Sequence, residues 1–286
     1  MDIVDTHCHI ISEDLAVYPR APIGGNQSQW AVSRPVTAEG MVSRMEEAGI
    51  RQAVLVQATT AYGYDNSYVL TSRKRRPERF VAVGTFDPLR PGAGARLLDL
   101  VGEGGLAGVR LFTSGSTVPA QGEWFAAPET YDFWRTAEEA GVTVCLQMRL
   151  GPATRHLISV LERFPGVRVL LDHLGYPDIA TSPGAAGAEV AELAKNAGLH
   201  LKLTHRNLER LHDAGKEAVD FLQPVVEAFG ADRIAWGSNC PAAEQSLPEL
   251  VGLAKEVLDV LSEEAREDIF AGTARRLYPG LGAARD

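Results

Sequence analysis

Short apolar runs, each followed by a stretch of helical length and periodicity, recur along this chain, and no other feature limits its fold so tightly. The runs read IVDTH (Ile3 to His7), AVLVQ (Ala53 to Gln57), FVAVGTF (Phe80 to Phe86), GVRLF (Gly108 to Phe112), VTVCLQM (Val142 to Met148), VRVLLDH (Val167 to His173), LHLKLTH (Leu199 to His205) and IAWGSN (Ile234 to Asn239). Each is short enough for a strand buried on both faces. The intervening stretches have helix ends: TAEGMVSRMEEAG offers Thr37 as N-cap, Met41, Met45 and Ala48 on one face, and Gly49 as a stop. Strand then helix, eight times over, predicts a parallel sheet closed into a (β/α)8 TIM barrel, one domain over residues 1–286. An open doubly wound sheet is the alternative. It usually carries a glycine-rich phosphate loop after its first strand, where this chain has HCHIISED.

Charge and cysteine usage narrow the function. A formal net charge of -9 argues against a nucleic-acid partner, because phosphate neutralisation needs clustered Lys and Arg. The start MDIVDTHCHI has neither a basic nor an apolar leader region, and no run approaches the ~20 apolar residues of a membrane span, so a cytoplasmic protein with no membrane partner is expected. Three widely spaced cysteines, Cys8, Cys145 and Cys240, fit a reducing compartment and no disulfide framework. The expected partner is a small-molecule substrate, and association into a homo-oligomer is left open.

In such a barrel, chemistry sits at the C-terminal ends of the strands. By the alternation of strand side chains, Asp5, His7 and His9 share one face of the first strand while Thr6 and Cys8 point the other way. Two imidazoles one residue apart can converge on a metal ion or an oxyanion, although a lone His-x-His is as often a hydrogen-bonded core pair. Other strand ends add His173 in LLDHLG, Gln147 and Arg149 after the inward-facing Cys145, Arg110 in the fourth strand, Lys202 and Thr204 in the seventh, and Asn239 in WGSNCP. Barrel filling alone would put Val, Ile or Leu there. The loops Ser12 to Pro35 and Ser114 to Pro128 are candidate pocket walls, and Tyr62, beyond the second strand, is a candidate substrate contact.

DTHCH, LDHLGYP and WGSNCP, at the first, sixth and eighth strands of an eight-unit pattern, resemble the amidohydrolase superfamily over essentially the whole chain. The likeness is greatest to its branch of lactone hydrolases and pyrone-dicarboxylate hydrolase. The resemblance implies a divalent metal and a hydrolytic water held by the first-strand pair, a fifth-strand and a sixth-strand histidine and an eighth-strand aspartate. It carries over to His7, His9 and His173 as catalytic residues and as ligands of a metal such as zinc. Two positions depart from the pattern: the fifth-strand histidine is Gln147 and the eighth-strand carboxylate is Asn239. A carboxamide cannot take a proton near pH 7, so the usual base is missing. Three imidazoles can still hold zinc, and the lactonase branch also includes metal-independent members, so both courses stay open at this point.

With these residues, the resemblance implies a hydrolase that opens a small cyclic ester bearing a carboxylate. His7, His9, His173 and Asn239 would work on the ring, with Arg110, Gln147, Arg149, Lys202 and Tyr62 on the substrate. The alternatives are a metal-dependent decarboxylase or amide hydrolase of the same superfamily, or a non-catalytic ligand-binding barrel. For several neighbours the plainer role is expected: Asn66 caps a helix, Asp87 forms a turn, Asp172 faces the helices, and His205 and Arg206 are surface residues.

Overall fold

The computed structural model describes residues 1–118 and 120–282, so Pro119 of the second candidate wall loop lies outside the described residues. Eight parallel strands follow one another around a sheet in chain order: β1 Val4–Cys8, β2 Gln52–Val56, β3 Phe80–Gly84, β4 Gly108–Phe112, β5 Thr143–Gln147, β6 Arg168–Leu171, β7 Leu199–Thr204 and β8 Ile234–Gly237. Past the last strand the ring is joined by a parallel bridge between Cys8 and Cys240. Asn239 N donates to His7 O at 2.7 Å, and His9 N donates to Cys240 O at 2.8 Å. The expected TIM barrel is therefore the observed fold.

Alternation sorts the two cores. Ala53 and Leu55, Ala82, Val109 and Leu111, Val144 and Leu146, and Leu201 and Leu203 pack outward under the helices. Val54, Val56, Val81, Val83, Cys145, Leu170 and Ala235 fill the lower barrel, which is closed from below by Ala274, Leu277 and Tyr278. The helices lie where the sequence puts them: Ala38–Glu47 buries Met41 and Met45, and Thr37 Oγ1 accepts from Gly40 N at 3.1 Å.

One strand breaks the alternation. Val4 packs inside the barrel and Cys8 packs outside it, four residues on, where a regular strand would keep both on one face. Between Asp5 and Cys8, β1 holds one residue more than β2 does between Ala53 and Leu55. This bulge returns His7 to the interior and leaves Asp5 facing away from it. The expectation that Asp5 shares the histidine face is corrected accordingly. The buried Asp5 carboxylate instead joins β1 to β8: Oδ1 accepts from Ser238 N and from His7 N, each at 2.9 Å, and Oδ2 accepts from Ser238 Oγ. At Gly237 an added Cβ would lie 2.7 Å from His7 Cβ and 2.9 Å from His7 N, so only glycine lets β8 come this close to the first histidine.

Candidate active site

Parity also fails after β6, with larger consequences. Leu170 points inward and Leu171 outward, so Asp172 points inward again. Asp172 thus lies among the charged groups of the barrel interior, which corrects the expectation that it faces the helices. His173 returns to the cavity only because its backbone enters the left-handed region, φ 57° and ψ 32°. Leu174 and Tyr176 share that conformation, as does Asn239 at φ 58° after β8. A left-handed run in which only Gly175 is a glycine is strained; it turns His173 and Tyr176 toward one space, and the left-handed Asn239 faces the same space.

That space is a cavity of about 540 Å³ at the C-terminal ends of the strands, lined by His9, Trp30, Arg110, Gln147, His173, Tyr176 and Asn239, with Arg34, Arg149 and Arg206 at its rim. A volume of this order suits a small molecule. Four arginines face one carboxylate, Glu244, whose Oε1 is 3.3 Å from Arg34 Nη1. Arg206 is exposed and makes no ion pair or hydrogen bond to the described residues, and the Arg149 guanidinium lies 4.8 Å from the centre of the Tyr176 ring.

Beneath the cavity Asp172 is a hub. Its Oδ2 accepts from Arg110 Nε at 2.8 Å, and its Oδ1 lies 2.8 Å from Lys202 Nζ, an ion pair whose angle falls short of a directed hydrogen bond. Burial alone would push this carboxyl up, but Lys202 and Arg110 together outweigh it and hold it well below the usual carboxylate range. Arg110 Nη2 also donates to Gln147 Oε1, and Gln147 Nε2 donates to the Tyr176 hydroxyl at 3.2 Å.

Hydrogen-bond polarity fixes the tautomers of the two first-strand imidazoles, and the Thr204 to Asn207 contact sets that of His173. Val56 O can only accept, so His9 Nδ1, 2.8 Å away, carries a proton and His9 Nε2 is bare. Lys202 Nζ can only donate, so His7 Nδ1 at 3.2 Å accepts; Asp172 Oδ1 at 3.7 Å is too far to compete for a proton there. The His7 proton is therefore on Nε2, which donates to His9 Nε2 at 3.1 Å. The Thr204 hydroxyl donates to Asn207 Oδ1 and accepts from His173 Nδ1 at 2.7 Å, which leaves His173 Nε2 bare on a ring that lines the cavity. Burial holds all three rings neutral: His7 and His173 fall well below the ordinary histidine value, His7 further through Lys202, and His9 falls to about 3.

This arrangement tests the metal reading directly. A divalent ion between the first-strand pair would need both Nε2 lone pairs, but His7 Nε2 carries a proton and spends it on His9. Gln147 is engaged by Arg110 and Tyr176, Asn239 brings no charge, and Lys202 adds an ammonium under the pair. Among the described residues no three His, Cys, Asp or Glu side chains are set to hold a metal ion, so the donors present do not fit one.

Of the sequence candidates, His9, His173, Asn239, Arg110, Gln147 and Arg149 line the cavity, while His7 and Lys202 lie fully buried beneath it. Tyr62 does not line it: its hydroxyl accepts from Ser12 N at 2.7 Å and from Arg20 Nη1 at 2.8 Å, pinning the Ser12 to Pro35 loop. Asn66 holds the N-cap position of its helix, but its side chain bonds both backbone groups of Thr85 in place of the helix end, and His205 is buried rather than on the surface. Sequence reasoning did not single out Trp30, whose ring stacks on His9 at 5.1 Å, nor Arg34 and Tyr176; Arg206, expected at the surface, is exposed and also lines the cavity. The available signals were the wall loop Ser12 to Pro35, which contains Trp30 and Arg34, and the proximity of Tyr176 to His173 in LDHLGYP.

Comparison with known proteins agrees with this fold. The chain is 24% identical over 266 residues to an L-fucono-1,5-lactonase from Burkholderia ambifaria, covering 87% of each chain. Its fold matches a crystal structure of a candidate 2-pyrone-4,6-dicarboxylic acid hydrolase from Pseudomonas putida with a TM-score of 0.79, 23% identity and 99% of both chains covered. It also matches an amidohydrolase from Burkholderia multivorans solved with bound zinc, with a TM-score of 0.73, 22% identity and 98% and 99% of the two chains covered. The family model for amidohydrolases matches residues 4–280, nearly the full length, and the chain belongs to the amidohydrolase family.

Proposed function

We propose that this barrel, acting as one catalytic domain, hydrolyses a small cyclic ester that carries at least one carboxylate. The observation that carries the reading is the bare Nε2 of a neutral, cavity-lining His173 beside the buried guanidinium of Arg110. His173 takes the proton of the attacking water, and Thr204 and Asn207 hold its ring in the required tautomer. Arg110, fixed by Asp172 and Gln147, faces the carbonyl oxygen as negative charge builds on it. The Asn239 carboxamide has no hydrogen-bond partner among the described residues and is free to hold the ring ester or the water. The rim arginines supply guanidinium forks for a carboxylate on the substrate.

An ester suits this machinery because an alkoxide leaves more readily than an amine, so a neutral imidazole suffices where an amide would ask for more. The similarity to a lactonase supports the substrate class. No helix among the described residues is long and apolar enough to cross a membrane, and the three cysteines are free and buried, which supports a cytoplasmic site of action. The deciding experiment is hydrolysis of a panel of five- and six-membered lactones, with and without carboxylate substituents, followed by proton release. We expect turnover of acidic lactones above neutral ones; no turnover of any lactone would reject the reading.

A further inference from the structure

Lys202 is the least expected residue in this barrel: an ammonium with no exposed surface, placed among the inward-facing ends of the strands. It contacts Asp172 at 2.8 Å, His7 Nδ1 at 3.2 Å and Cys145 Sγ at 3.6 Å, and it does not reach the cavity lining. Asp172 already has a full partner in Arg110, so the pair alone would be electrically balanced. The lysine leaves one net positive charge under two neutral imidazoles.

We infer that Lys202 is a positioning residue that locks His7 as its Nε2–H tautomer and thereby closes the His7–His9 pair to divalent cations. The lock works through polarity. An ammonium offers only donors, so the His7 nitrogen facing it must be the acceptor, and the ring's single proton is sent to the other nitrogen. There it points at His9, whose own proton is committed to Val56 O. The pair is joined nitrogen to nitrogen with a proton between them, in the direction from which an ion would approach. Freed of the lysine, His7 Nδ1 would keep only Asp172 as a neighbour, an acceptor, and the proton would move to that side. His7 Nε2 and His9 Nε2 would then both be bare and 3.1 Å apart.

This inference does not depend on the lactone reading, because neither of its tests uses turnover. Nitrogen-15 spectra of uniformly histidine-labelled wild-type protein should show His7 protonated at Nε2 and His9 at Nδ1, assigned by His7→Gln and His9→Gln. Titration with zinc chloride should give at least tenfold tighter binding to Lys202→Met than to wild type, and the His7 proton should move to Nδ1 in that variant. A wild-type His7 protonated at Nδ1 would overturn the proposal, as would zinc binding by wild type as tight as that of Lys202→Met. Should the variant fail to fold, the wild-type spectrum decides alone.

Discussion

At the scale of single residues the site turns on His173, a side chain that reaches the cavity against the parity of its own strand. Its left-handed backbone is held because Asn207 Nδ2 donates to His173 O at 2.9 Å while Thr204 receives the ring proton. On the proposed reading, replacing the base at this position removes proton transfer and leaves binding by the arginines. We therefore expect His173→Ala to lower kcat by about a hundredfold to ten-thousandfold with a much smaller change in KM, measured on whichever acidic lactone is turned over best. The identity of these residues was legible in the sequence, because a rim of His, Arg, Asn and Gln at strand ends is not barrel filling. Their directions were only partly legible. Alternation is a property of regular strands, and the residues that matter most follow a bulge, as His7 does, or sit in left-handed backbone, as His173 and Asn239 do. Asp172 was misplaced for the same reason, and Lys202, given its inward face correctly, reaches Asp172 and His7 in place of substrate.

At the scale of elements, the eight strands and the helices between them followed from apolar runs and caps, because each is set by near neighbours in the chain. Packing across the seam was not legible, since it joins residues more than two hundred positions apart. Asp5 and Ser238 make that seam, and the tie between them is buried on both sides. Ser238→Ala would leave one Asp5 oxygen without its hydroxyl donor, in a place where burial already pushes the carboxyl up. The expected loss is about 1–3 kcal/mol of unfolding free energy, read from urea denaturation. The wall loop Ser12 to Pro35 was recognised as a loop from its composition, but its contribution of Trp30 and Arg34 to the cavity depends on how Arg20 and Tyr62 fasten it, which no local pattern encodes.

At the scale of the molecule, an acidic protein carries a basic cavity. The net charge is -9, while four arginines gather at the opening where the ring of strands ends. The buried imidazoles also shape acid stability. His7, His9 and His173 are held neutral, with folded values below the ~6.5 of the unfolded chain, so below that pH the unfolded state binds more protons than the folded one. Stability is then fully present above about pH 6.5 and falls as the pH drops toward the folded values, about 3 for His9, at about 1.4 kcal/mol per pH unit for each imidazole. Denaturation midpoints measured between pH 7 and pH 5 should decline steadily, and midpoints that rise over that range would contradict the neutral assignment. Asp172 adds to the same trend only at lower pH, since its folded value lies below the ~3.9 of a free aspartate. The charged trio beneath the cavity also dictates an order of loss. Taking away Lys202 leaves Arg110 and Asp172 as a matched couple, whereas taking away Asp172 strands two cations side by side in the interior, a change of a kind that costs roughly 3–5 kcal/mol. Substitution at Lys202 thus leaves a balanced pair behind, whereas substitution at Asp172 leaves none, so the interior tolerates loss of charge from one end alone.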